Sequence, residues 1–249
     1  MTMAVNIIIC SAVILGVVLR AVLGSDVPCT SASGTCQEDN IHCSGSYVSG
    51  LCSGHASRRC CMPSGSGGCS NVNIISRSQW GARNPKHVTA MHVPVHEFFI
   101  HHTESPSCSS QSECSARVRG IQNYHMDSRG WSDIGYNFLI GEDGKAYEGR
   151  AWDRIGAHTY GWNDVAIAFS IMGDYSNKLP NDAALHAVKA MIECGIQLGQ
   201  ITPDYKMYGH RDVRNTECPG DSLYSLINTW DHFDANVPIK PTPRPYRPT

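Results

Sequence analysis

The chain carries almost no surplus of charge: twenty Lys and Arg stand against twenty-two Asp and Glu, a formal net charge of −2. That balance argues against nucleic acid as a partner and against electrostatic adhesion to anionic surfaces, since both need a basic face. Only the twelve histidines, charged in acid, could alter it. No internal repeat is visible. Beyond the N-terminus no stretch is apolar enough to span a bilayer. Residues 4–19 are apolar except for Asn6 and Ser11, but a membrane span takes about twenty residues. The small residues Ala21-Val22-Leu23-Gly24 then suit signal-peptidase cleavage, so residues 1–24 are expected to be a leader and the protein to be secreted. No Lys or Arg precedes the apolar run, which leaves an uncleaved signal anchor as the alternative.

Cysteine is abundant, with twelve in the chain. In an oxidising compartment dense cysteines are read as bridges. Cys10 falls in the leader, and the eleven others are an odd number, so one thiol is free, intermolecular or metal-bound. Six crowd into residues 29–61, and Cys69, Cys108, Cys114 and Cys194 can make two more pairs. Cys218 is the remainder. A buried free cysteine acting as a small hydrophobe is the ordinary reading of such a residue. Against it stand His210, eight positions earlier, and Pro219-Gly220 immediately after, which fix a tight backbone. With the pair His101-His102, this stretch supplies three donors for one metal ion. Catalytic zinc sites use three protein ligands and keep a fourth position for water, so the set points to a secreted zinc hydrolase. Adjacent residues on a strand face opposite ways, so only one of His101 and His102 can join His210 and Cys218. Ligands this far apart form no local signature, unlike the helical His-Glu-x-x-His motif.

Residues 26–63 are small, polar and cysteine-rich, too poor in apolar residues to fold without staples. Residues 64–68 read as a Gly/Ser linker, 69–235 as one globular domain, and 236–249, with five prolines, as a disordered tail. In the large domain the pattern predicts strands over 95–101, 136–140, 145–148, 165–172 and 206–210. Gly141-Glu142-Asp143-Gly144 marks a hairpin. Helices are predicted over 112–128, capped by Ser112, from Pro180-Asn181-Asp182 to a stop at Gly199, and over 222–230. The fold class is α/β, a mixed central sheet flanked by helices and preceded by a small disulfide-rich module.

Several blocks in series carry a resemblance. They are Ile74-Ile75-Ser76-Arg77-Ser78-Gln79-Trp80-Gly81-Ala82-Arg83, Phe99-Ile100-His101-His102-Thr103, and Gln122-Asn123-Tyr124-His125-Met126 through Gly130-Trp131-Ser132-Asp133-Ile134-Gly135-Tyr136-Asn137-Phe138. Then come Gly141-Glu142-Asp143-Gly144, Tyr147-Glu148-Gly149-Arg150, Ile155-Gly156-Ala157-His158, Gly209-His210-Arg211-Asp212-Val213 and Thr216-Glu217-Cys218-Pro219-Gly220. In this order, over residues 72–235, the chain resembles the peptidoglycan recognition proteins, whose domain is similar to the zinc amidases of bacteriophages.

The resemblance implies a zinc amidase fold with Zn2+ on His101, His210 and Cys218. It puts Tyr136 at the family's active-site tyrosine and Thr216 where phage enzymes carry a lysine and animal ones often a threonine. Non-catalytic members commonly replace the metal cysteine, often with serine. Retention of Cys218 implies hydrolysis of the amide between N-acetylmuramic acid and L-alanine, with bacterial peptidoglycan and its muropeptides as partners, in innate immunity. A binding-only recognition protein is the alternative. His158 and Trp131 are expected to line the groove, as is His102, with core packing the competing reading; Trp80 is expected to be structural. After Trp152 the family shows Asn-Phe or Gly-Trp according to the stem peptide, whereas this chain has Asp153-Arg154. Arg154 could pair with the extra carboxylate of diaminopimelate or be a solvated surface residue. The resemblance also implies the disulfides Cys108–Cys114 and Cys69–Cys194. The six earlier cysteines should pair among themselves in one of fifteen ways. Their module could bind cell wall, act as a spacer, or be a defensin-like unit carrying the main task.

Overall fold

A computed structural model describes residues 26, 29–30, 34–43, 46–48, 51–62 and 69–236. The leader (1–24), the linker (64–68) and the tail from residue 237 lie outside the described residues. The cysteine-rich segment forms a three-stranded antiparallel sheet of β1 (Thr35–Glu38), β2 (Ser46–Val48) and β3 (Arg58–Met62), in the order β1-β3-β2. Its interior is sulfur. Cys29–Cys60, Cys36–Cys52 and Cys43–Cys61 are bridged, so the six cysteines pair among themselves, and Tyr47 is a large apolar side chain buried with them.

The larger part is a six-stranded mixed sheet in the order β4-β7-β6-β8-β5-β9. Its strands are β4 (Asn73–Ile75), β5 (Val95–His102), β6 (Phe138–Ile140), β7 (Lys145–Glu148), β8 (Ala166–Ile171) and β9 (Ile201–Gly209). β5 runs parallel to both neighbours. A strand between parallel neighbours with both faces covered reads as an unbroken apolar run, and Phe98, Phe99 and Ile100 are all fully buried. The hairpin of β6 and β7 is antiparallel and turns through Gly144 at φ 74°, a left-handed conformation that glycine adopts freely.

Among the described residues four helices cover the sheet: α1 (Arg77–Trp80), α2 (Gln111–Asn123), α3 (Asp182–Gln197) and α4 (Asp221–Ile227). Along α3, Ala184, Val188, Met191 and Ile192 pack on the main core with Phe98, Ile100 and Phe169. On the other face Val118 of α2 and Trp80 of α1 pack with Leu139 and Tyr147. The α/β architecture is therefore the one the sequence pattern predicts.

The differences are local. β4 and α1 had no counterpart in the periodicity, being three and four residues long. Ser76 nevertheless starts α1 with a capping box to Gln79. α2 is capped by Ser110 rather than Ser112, the Ser110 hydroxyl accepting from Glu113 N. It stops at Asn123 and continues as a π turn over Tyr124–Ser128. β9 starts at residue 201 rather than 206. Its first half contains Pro203, tolerated because β9 lies at the sheet edge, and the register to β5 shifts there.

The cysteine-rich segment packs on the larger part. Leu198 joins the cluster of Cys29 and Cys60. Arg59 of β3, 1% exposed, is paired with Glu148 of β7, 2% exposed.

Candidate metal centre

His101 and His210 are brought together by strand register. Ile100 of β5 sits opposite Gly209 of β9, so the next residue of each parallel strand is a histidine at the carboxyl end. Open α/β sheets bind ligands at that end. Their rings lie 4.4 Å apart between centroids. The chain turns back after the 3-10 turn His210–Asp212, and Arg211 N donates to Cys218 O at 3.0 Å. Cys218 N donates to the Thr216 hydroxyl at 3.2 Å, tightening the loop. Gly220 follows at φ 91°; a Cβ there would stand 2.4 Å from the Tyr175 carbonyl carbon, so only glycine fits this return.

One ligand atom from each of His101, His210 and Cys218 lies within 4.8 Å of the others. Cys218 Sγ is 3.5 Å from His101 Nδ1, and Cys218 is the free cysteine among the described residues. Burial pulls His101 well below the usual histidine range, reinforced by the charges of His210 and His158. Burial, with Arg214 nearby, brings His210 down to about 4. Both rings are therefore neutral at pH 7, the form in which imidazole binds metal. Burial also pushes the Cys218 thiol up to about 12, so a bound cation has to displace its proton. Two imidazoles and one thiolate make a donor set of the kind zinc takes, with three protein ligands. The residues present fit the ion.

The three donors open onto a groove of about 570 Å³. Tyr136, His158, Trp131 and Thr216, all named from the sequence, line it. The Tyr136 ring is 5.5 Å from that of His101, and burial raises its phenol, so it stays protonated and can donate. The Trp131 ring lies tilted against that of His125, 4.6 Å between centroids, and the π turn lets His125 Nδ1 accept from Gly135 N at 3.1 Å. His102 borders the groove, but its ring turns to Tyr175, whose N–H donates to Nδ1 at 3.3 Å.

Arg154 is a correction. Its guanidinium donates to Ala56 O at 3.3 Å and Asp39 Oδ2 at 3.5 Å in the cysteine-rich segment, and it is not part of the metal groove. Trp152 before it is packed in the core with Phe138 and Phe169, and Asn137 Nδ2 holds the intervening loop by the carbonyls of Ala151 and Arg154. The guanidiniums that do line the groove were missed in the sequence: Arg129 over Trp131 and Tyr124, and Arg214 over Tyr160. Thr159 was missed too; no spacing rule marks a lone hydroxyl. Trp80 is fully buried and donates to Glu148 O at 2.8 Å, a structural role. Cys108–Cys114 ties the segment after β5 to α2, and Cys69–Cys194 ties the segment before β4 to α3.

The larger part of the chain is similar to known proteins. Residues 91–221 match the family model for N-acetylmuramoyl-L-alanine amidase. Peptidoglycan recognition protein 1 of Bos indicus is 43% identical over 162 residues, 65% of this chain and 85% of that protein. A human N-acetylmuramoyl-L-alanine amidase is 41% identical over 175 residues, 68% of this chain but 30% of its own length. The solved structure of peptidoglycan recognition protein-LE in complex with tracheal cytotoxin, a monomeric diaminopimelic acid-type peptidoglycan, matches with a TM-score of 0.64 at 37% identity, covering 66% of this chain and 96% of that one. No helix among the described residues is long and apolar enough to cross a membrane. The chain belongs to the peptidoglycan recognition proteins, within the wider family of N-acetylmuramoyl-L-alanine amidases.

Proposed function

We propose that the protein is a secreted, zinc-dependent amidase that binds bacterial peptidoglycan and cleaves the amide joining N-acetylmuramic acid to L-alanine. The observation that carries this reading is the convergence of His101, His210 and Cys218 in the lining of a groove, one donor atom from each within 4.8 Å of the others. Zinc held there would polarise the amide carbonyl and acidify a water toward neutral pH. The remaining roles fall to the chain. Tyr136, protonated and beside His101, orients the water or donates to the oxygen that gains negative charge. Thr216 holds the Cys218 loop and presents its hydroxyl to the same groove. Arg129 and Arg214 supply positive charge for the carboxylates of a stem peptide. Five disulfides among the described residues suit an oxidising, extracellular setting.

The test is digestion of purified peptidoglycan by the mature protein with zinc, after chelation, and with Cys218→Ser. Free stem peptides released by the zinc-loaded protein and by neither control would establish the activity. Binding without release, unaffected by chelator, would make the protein a recognition protein without turnover.

A further inference from the structure

One buried polar side chain beside the metal donors has no task in this chemistry. Thr159 is fully buried, and its hydroxyl oxygen lies 3.0 Å from His101 Nε2 and 3.0 Å from His158 Nδ1. The threonine is itself held: the N–H groups of Thr159 and His158 both donate to Asn163 Oδ1 at 2.8 Å, and Trp162 N donates to Thr159 O at 2.9 Å. A hydroxyl has one proton to give. In a fully buried site that proton needs an acceptor, and the two histidines are the partners of this hydroxyl.

His101 decides the direction. Its Nδ1 faces Cys218 Sγ, so Nδ1 is the atom turned toward the other metal donors and the proton of the neutral ring sits on Nε2. Nε2–H therefore donates to Thr159, and Thr159 donates to His158 Nδ1. The proton of His158 is then left on Nε2, a buried atom. We propose that Thr159 is a positioning residue: its hydroxyl holds His101 in the Nε2–H tautomer that presents Nδ1 to zinc, and through the same oxygen fixes His158 as an Nε2–H donor beside the groove. Gly156 makes room for that arrangement, since a Cβ there would lie 2.2 Å from His158 Cδ2. The inference rests on the zinc reading above and extends it to residues that do not touch the ion.

Two measurements test it. Zinc affinity, read by competition with a chromophoric chelator, should fall about 10–100-fold in Thr159→Val, the usual cost of losing a partner behind a metal-bound histidine. Thr159→Ser, which keeps the hydroxyl, should restore the wild-type affinity. Long-range ¹H–¹⁵N spectra of the zinc-loaded wild-type protein should report protons on Nε2 of both His101 and His158, a readout that needs no variant to fold. Thr159→Val binding zinc as tightly as the wild type, Thr159→Ser binding as weakly as Thr159→Val, or His158 protonated on Nδ1 would overturn the inference while leaving the metal site standing. Wild-type protein that takes up no zinc would overturn both.

Discussion

Arg59→Met is the perturbation that best tests how the cysteine-rich segment is joined to the rest. Arg59 and Glu148 come from separate sheets, 89 positions apart, and are 1% and 2% exposed. The guanidinium also donates to Tyr47 O at 3.1 Å and lies 5.4 Å from the centre of the Tyr47 ring. Methionine keeps much of the apolar stem but leaves the Glu148 carboxylate buried without its cation. Breaking a buried pair from one side costs about 3–5 kcal/mol, because the surviving charge cannot reach water. At roughly 2–4 °C per kcal/mol for a chain of this size, the melting temperature should drop by about 6–20 °C. The internal control is Arg83, paired with Asp127 at 2.6 Å but with side chains 42% and 56% exposed. An exposed pair is worth about 0–1 kcal/mol, so Arg83→Met should barely move the transition. The double variant Arg59→Met with Glu148→Leu should regain part of the loss, since neither charge is then stranded. The assay is thermal unfolding of the oxidised protein at pH 7. A cost for Arg59→Met no larger than for Arg83→Met would refute the reasoning, and with it the idea that the segment is docked rather than tethered.

Three further outcomes are expected from the same structure. Burial lowers His125 from 6.5 to about 4, aided by Arg129, and His158 to about 3, aided by His210. Between those values and 6.5 the unfolded chain binds more protons than the folded one, so stability rises with pH there and is lost as pH falls, by about 1.4 kcal/mol per unit for each histidine. Urea midpoints of the metal-free protein should decline from pH 6.5 toward 4; a flat profile would contradict the burial. The disulfides should differ by loop length: loops of 125 and 6 residues predict losses of about 5 and about 2 kcal/mol when Cys69–Cys194 or Cys108–Cys114 is replaced by paired alanines, read by thermal melts. Last, Arg214→Ala should weaken binding of a carboxylate-bearing muropeptide by about 0.5–1 kcal/mol, the scale of an exposed charge pair. Arg154→Ala should leave that affinity unchanged in calorimetry, its guanidinium being engaged by Asp39 and Ala56; the reverse ranking would restore Arg154 to the groove.

What the sequence disclosed tracks how local each signal is. β5 was legible because burial on both faces demands an unbroken apolar run, and α3 because its caps and apolar stripe lie within one segment. Half of β9 was hidden by Pro203, whose cost depends on the strand being at an edge, a fact of topology. Parity singled out Cys218, and strand alternation allowed only one of His101 and His102 to join it. Which of the two came from resemblance alone. The Arg59–Glu148 pair and the Thr159 bridge left no trace in the sequence, since each joins residues whose types are unremarkable until the fold brings them together.

The same reasoning explains why the candidate site is sensitive to the sheet that carries it. His101 and His210 owe their proximity to a single register, Ile100 opposite Gly209 on parallel strands. A slip of one residue on β5 would turn His101 to the face where His102 now meets Tyr175, and would bring His102 toward Cys218 instead. The register is held in turn by side chains on both faces: Phe99 against Trp162 and Tyr208 on one, Phe98 against Phe169 and Tyr205 on the other. Each is an edge-to-face or tilted contact that a slip would break while exchanging the faces of the strand. Packing around β5 thus specifies which histidine meets Cys218, and the candidate metal donors inherit their geometry from the core.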